Sequence, residues 1–134
     1  MSRAGYSDDV WGLELGRWRA QVASAIRGKR GQAFLRELIE ALDALPEKRL
    51  IDGELQEGNE VCAIGSVGLR RGIDMSRIDP HDSDTLAAKF GIAHQLVREI
   101  EFMNDEAAWN ETPETRWQRM RNWAVSNLRE QVTA

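Results

Sequence analysis

The groups in this chain that could carry catalysis are one thiol, Cys62, two imidazoles, His81 and His94, and a surplus of carboxylates. A cysteine nucleophile needs an imidazole within hydrogen-bond reach and a third group to orient it, and no local pattern joins Cys62 to either histidine. The histidines stand 13 positions apart and form no H-E-x-x-H pair, so zinc-hydrolase spacing is absent. The run DPHDSD, 79–84, lacks the ligand spacing of a calcium loop. It is better explained as a helix start, with Asp82, Ser83 or Asp84 accepting from free backbone N–H groups. RGKRGQ, 27–32, has glycines and a lysine but not the G-x-x-x-x-G-K-[ST] frame that cradles phosphate. The expectation is a protein with no catalytic residues, no cofactor and no metal. A lone cysteine can form no internal disulfide, and Cys62 reads as a small buried residue.

What remains is charge. The net charge is −4, yet it is segmented: Glu14 to Arg36 holds six bases and one acid, Glu37 to Ser66 eight acids and two bases, and Glu99 to Glu114 six carboxylates with no base. Arg17, Arg27, Lys29 and Arg30 are expected toward one end of a helical hairpin, where they could converge on an anion. A helix beginning just after them would add its free N–H groups. The competing reading is a solvated polar face, or neutralisation by the acidic blocks once the chain folds.

The elements that must position these groups read as helices. Trp11, Leu15, Trp18, Val22 and Ile26 recur at steps of four and three, the spacing of one helical stripe. Gly28 and Gly31 bracket Lys29 and Arg30 in a predicted turn. A second helix should run from about Gln32 to Leu45 until Pro46 stops it. The segment around QEGNE, 56–60, suits a small β-hairpin, although Leu50 to Leu55 could extend a helix. A short helix ending near Gly72 follows, and then one carrying Leu86, Ala87 and Phe90 that Gly91 breaks. The next carries Ile92, Leu96, Val97, Ile100 and Met103. The last has Thr112 as N-cap, Pro113 at its first position and Trp117, Met120, Ala124 and Leu128 facing inward. Four of the five tryptophans lie in the first and last helices, so those helices are expected to touch and close the core. At 134 residues this predicts one mainly α domain, a compact bundle of about five helices with room for a small central β-hairpin, residues 1–10 being flexible.

The stretch TLAAKFGIAHQLVREI, 85–100, resembles the helix-turn-helix arrangement. Ala87 is small where the second helix crosses, Gly91 allows the sharp turn, and Val97 points back to the core. The resemblance implies His94, Gln95, Arg98 and Glu99 as reader residues. A plain bent helix pair has the same spacing, and Glu99 and Glu101 would oppose phosphate. GLRRGIDMSRI, 68–78, echoes the pattern with Gly72 in register with Gly91.

With 42% apolar and 30% charged residues, and no run near membrane-span length, the composition is that of an ordinary soluble domain. The N-terminus has no apolar core after a basic start, so a cytoplasmic location is expected. The strings SAIRGKRGQAFLRELIEALDALPEKRLIDGEL, VCAIGSVGLRRGID and ETPETRWQRMRNW are similar to a family of small uncharacterised bacteriophage and prophage proteins. That resemblance implies no activity. It implies a phage-type accessory protein that binds a host or phage protein complex, such as a nucleic-acid-processing or defence assembly. The alternative is direct binding of nucleic acid through Arg17, Arg27, Lys29 and Arg30 or through His94, Gln95 and Arg98. Oligomeric state is not set by the sequence.

Overall fold

The computed structural model describes residues 3, 4 and 12–129. Six helices and one two-stranded hairpin follow in the order α1 (Gly12–Arg27), α2 (Lys29–Ala44), β1 (Gln56–Glu57), β2 (Glu60–Val61), α3 (Ala63–Arg70), α4 (Ser83–Phe90), α5 (His94–Asp105) and α6 (Pro113–Ser126), with a 3-10 turn at Met75–Arg77. The mainly helical domain with a small β-hairpin is therefore what the periodicities predict, with one helix more than expected.

Helix α2 is the axis of the core. Its apolar residues recur at helical spacing and Phe34, Leu35, Leu38, Ala41 and Leu42 are buried; each large aliphatic side chain enclosed this way contributes about 1.5–3 kcal/mol. One side of α2 packs on α3 and α6, and its start meets α1. Helix α3 is so enclosed that Ala63 to Gly68 are all buried. It approaches the backbone closely: a Cβ on Gly65 would lie 1.9 Å from the Leu55 carbonyl oxygen. Cys62 is 1% exposed and acts as the N-cap of α3, its sulfur accepting from the Gly65 N–H at 3.4 Å.

The hairpin pairs Gln56 with Val61 and Glu57 with Glu60, so Leu50 to Leu55 does not extend a helix. Ile51 N–H instead donates to the Val61 carbonyl and Cys62 N–H to the Leu55 carbonyl. Asp82 caps α4 through the Thr85 N–H at 3.1 Å. Gly91 closes α4 in the left-handed conformation at φ 68°, which glycine adopts without steric cost. Thr112 caps α6 through the Thr115 N–H at 3.1 Å, with Pro113 in the first turn. Met120 and Ala124 are fully buried, and Trp117 and Trp123 pack partly buried against the core.

One expectation needs correction. Among the described residues α1 lies mainly on α5 and α2, and α6 mainly on α2, so the two do not pack back to back along their lengths there. Their C-terminal ends are tied through the Gln32 amide, which donates to Ile26 O at 2.7 Å and Asn127 O at 3.0 Å. Val22 of the α1 stripe is buried and Trp18 half-buried, while the side chains of Trp11 and Leu15 lie outside the described residues. Arg3 is 6% and Ala4 0% exposed, and the rest of the segment 1–10 lies outside the described residues.

Arg3 is held in a buried cluster at the end of α5. Its guanidinium forms a two-pronged pair with Asp105 at 2.5 and 2.8 Å, stands 3.3 Å from Glu101, and lies 3.7 Å from the Cys62 sulfur. Against the cost of burial, the hydrogen bond from Arg3 holds the Asp105 carboxyl below its ordinary range. Glu101 differs: it is 0% exposed and neither carboxyl oxygen has a hydrogen-bond partner. Burial outweighs the attraction of Arg3 and Arg98 and, with Asp105 opposing ionisation, pushes the Glu101 carboxyl up to about 8.

Candidate functional site: the cationic bend between α1 and α2

The bend between α1 and α2 turns on one residue. Gly28 sits in extended conformation at φ −66° and ψ 162°, with its N–H on the Ser24 carbonyl at 3.0 Å. Helix α2 starts at Lys29, three residues earlier than the paired glycines suggest. Gly31 is not a left-handed turn residue. It lies inside α2 where that helix crosses α1, and a Cβ there would stand 1.9 Å from the Ala25 carbonyl oxygen. Lys29 and Arg30 therefore occupy the first turn of a helix. Gly28 supplies no side-chain cap, so the first-turn N–H groups, ahead of the Gln32 to Gly28 bond, carry their share of the helix dipole with no side chain of the N-cap bonded to them.

Beside them lies a groove of about 470 Å³ lined by Gln21, Ser24, Ala25, Lys29, Arg30 and Gln95, with Gly28, Gly31 and Ala93 completing its floor. Arg30 also donates to the Gly91 carbonyl at 3.4 Å, outside the groove. The α4–α5 corner thus meets the bend. Ala93, the N-cap of α5, also supplies no side-chain cap, so two uncapped helix starts open onto one groove. Its far wall is joined by Gln95 Nε2 donating to Gln21 Oε1 at 3.4 Å.

The charge pattern separates this surface from the rest of the molecule. Arg49, Arg71 and Arg121 pair with Glu60, Glu37 and Asp43, and Arg116 and Arg119 share Glu111. Arg17, Arg27, Lys29 and Arg30 are all exposed, and among the described residues no carboxylate forms an ion pair with any of them. Folding neutralises most of the later bases and leaves this group open to solvent.

The predicted site residues do not all gather there. Lys29, Arg30 and Gln95 line the groove, and His94 opens α5 next to it, its ring 6.0 Å from that of Trp18. Arg27 faces a second groove of about 460 Å³, between α1 and the end of α6, with Arg129 on its other rim. Arg17 is ten residues back along a continuous helix, about 15 Å from Arg27 at 1.5 Å per residue, so it is not part of the bend. Arg98 is turned inward, donating to the Ala4 carbonyl at 2.5 Å with its guanidinium 4.4 Å from the Trp18 ring. Glu99 is 6% exposed and paired with Arg19 at 3.1 Å. Of the four reader positions, Arg98 and Glu99 are thus engaged within the fold, whereas His94 and Gln95 remain half-exposed.

Gln21 and Ser24 belong to the groove without having been marked in the sequence. Their signal is the stripe Gln21, Ser24, Ala25, Gly28, which has helical spacing but no large apolar side chain. Among the described residues no group of three or more His, Cys, Asp or Glu side chains could hold a metal ion, and no helix is long and apolar enough to cross a membrane. No family model, curated protein or solved structure matches the chain.

Proposed function

We propose that the chain is a non-catalytic, phage-type accessory protein that docks on a host or phage macromolecular complex, with the groove at the α1–α2 bend as its contact surface. The observation that carries this reading is the exposed, unneutralised pair Lys29 and Arg30 at the groove, with Arg27 on the neighbouring groove beside it, in a molecule whose later arginines are mostly paired internally. Unpaired cations at a built groove attract an acidic partner surface and fix its orientation. The similarity to phage and prophage proteins supplies the setting, in which the partner belongs to a nucleic-acid-processing or defence assembly.

The test is capture from host cells by the tagged chain, with and without nuclease. A protein retained after nuclease treatment and lost in Arg27→Ala, Lys29→Ala, Arg30→Ala supports the reading. Equal retention by that triple variant overturns it.

A second reading, direct binding of nucleic acid, is favoured by the two uncapped helix starts that share the groove, since backbone N–H groups and the dipole both suit phosphate. It predicts a duplex gel shift that weakens steeply with salt and is lost in the triple variant. Absence of any shift at low salt removes it.

A further inference from the structure

Trp109 is 95% exposed, whereas Trp117 and Trp123 pack against the core. It is presented by a loop whose ends are fixed. Glu106 N–H bonds the Phe102 carbonyl at 2.8 Å, and Glu111 is pinned by Arg116 and Arg119. Asn110, directly after the tryptophan, holds a left-handed backbone at φ 55°, which is uncommon outside glycine. Exposed carboxylates at Glu106 and Glu114 flank the loop. The surface is thus an indole in an acidic setting, unsuited to a phosphate backbone or an anionic bilayer. Its complement is an apolar-floored recess with a cationic rim.

Such a recess exists on the same chain. The groove at the bend has Ala25, Gly28, Gly31 and Ala93 as its floor and Lys29 and Arg30 at its edge, with a volume of about 470 Å³. Within one molecule the two cannot meet, because the groove lies at the start of α5 and the Trp109 loop follows its end, about 17 Å away over twelve residues. We infer that Trp109 of one copy seats in the Lys29–Arg30 groove of a second copy, so that the protein associates head to tail. This rests on reading that groove as the docking surface and gives it a regulator, since self-association occludes the surface a partner needs. A head-to-tail pair keeps one free knob and one free groove, and such heterologous contacts extend rather than close unless the rotation makes a ring.

Sedimentation of the purified protein up to about 1 mM tests the inference, since a contact anchored on one aromatic side chain is expected to be weak. Average mass should rise with concentration beyond a dimer and fall in high salt. Trp109→Ala should weaken association at least about tenfold; its exposure makes that variant safe for folding. Lys29→Glu with Arg30→Glu should do the same. Mixing the two variants should yield a 1:1 heterodimer that grows no further, because one retains only the knob and the other only the groove. A wild-type chain that stays monomeric, association unchanged in Trp109→Ala, or a mixture that forms no heterodimer would each overturn the inference. Trp109→Ala should still capture the macromolecular partner; self-association that is lost in Trp109→Ala, together with partner capture that survives Arg27→Ala, Lys29→Ala, Arg30→Ala, is failure of the functional reading alone.

Discussion

Replacing Glu101 by glutamine removes a proton from the interior while keeping the shape of the side chain. The groups facing this carboxyl are Arg3 from the N-terminal segment and Arg98 and Asp105 from α5, with Cys62 reached through Arg3. Its carboxyl titrates near 8 in the folded protein, against 4.5 ordinarily. A group whose folded pKa is raised contributes stability that is fully present below the unfolded value and lost as pH rises through the folded one. Between those limits the folded state holds a proton that the unfolded chain has released, so wild-type stability should fall with a slope approaching about 1.4 kcal/mol per pH unit. Glu101→Gln, neutral throughout, lacks this loss. The variant should match the wild type to within about 1 kcal/mol near pH 4.5 and exceed it by about 3–5 kcal/mol near pH 9. Urea unfolding of both proteins across that range measures the difference, and subtraction removes titrations common to the two, including that of Asp105. Parallel stability curves would refute the placement of Glu101 in a dry cluster. A variant gaining stability only toward acid pH would refute the sign of the coupling.

Gly31→Ala should destabilise by about 2 kcal/mol or more despite a helix-propensity gain near 1 kcal/mol, because the new methyl would stand 1.9 Å from the Ala25 carbonyl oxygen. Gly91→Ala meets nothing within 4 Å and should cost only about 1 kcal/mol of left-handed backbone strain; thermal unfolding that ranks the two the other way refutes the assigned bend. Arg116 is 8% exposed and donates to the Asn104 carbonyl at 3.0 Å and the Leu50 carbonyl at 2.9 Å. Arg116→Ala strands the Leu50 carbonyl, leaves the Asn104 carbonyl only its longer bond from Arg119 and leaves Glu111 to Arg119 alone, and should cost about 2–3 kcal/mol in denaturant unfolding. A loss under about 1 kcal/mol would show that these bonds are not formed in solution.

Much of the architecture was legible because its signals are local. Thr112 before Pro113, Asp82 three residues ahead of Thr85, and Gly91 at the end of an apolar stripe each mark a helix end through chemistry confined to one turn. The QEGNE hairpin is local in the same sense. The bend was placed three residues late because a glycine near a helix end serves either of two purposes. Gly31 reads as a turn residue but is used for close approach, which depends on where α1 lies. The buried cluster was not legible at all: Arg3 and Asp105 are 102 residues apart, and neither Glu101 nor Asp105 looks different in sequence from a solvated acid. The tryptophans divide by element. Trp117 has α2 beneath it and donates its ring N–H to the Leu42 carbonyl, whereas Trp109 sits in a loop with nothing over it. For the candidate site, the basic run pointed to the right bend, but helical rise carried Arg17 away from it and packing turned Arg98 inward.

The most direct test of the cationic bend as the docking surface is amide hydrogen exchange on the chain, free and in complex with its captured partner. The account predicts added protection concentrated at Gln21 to Gly31 and at Ala93 to Gln95, the two helix starts and the α1 stripe that share the groove. Protection confined to other surfaces, with the amides of Lys29, Arg30 and Gly31 exchanging as in the free protein, would contradict it.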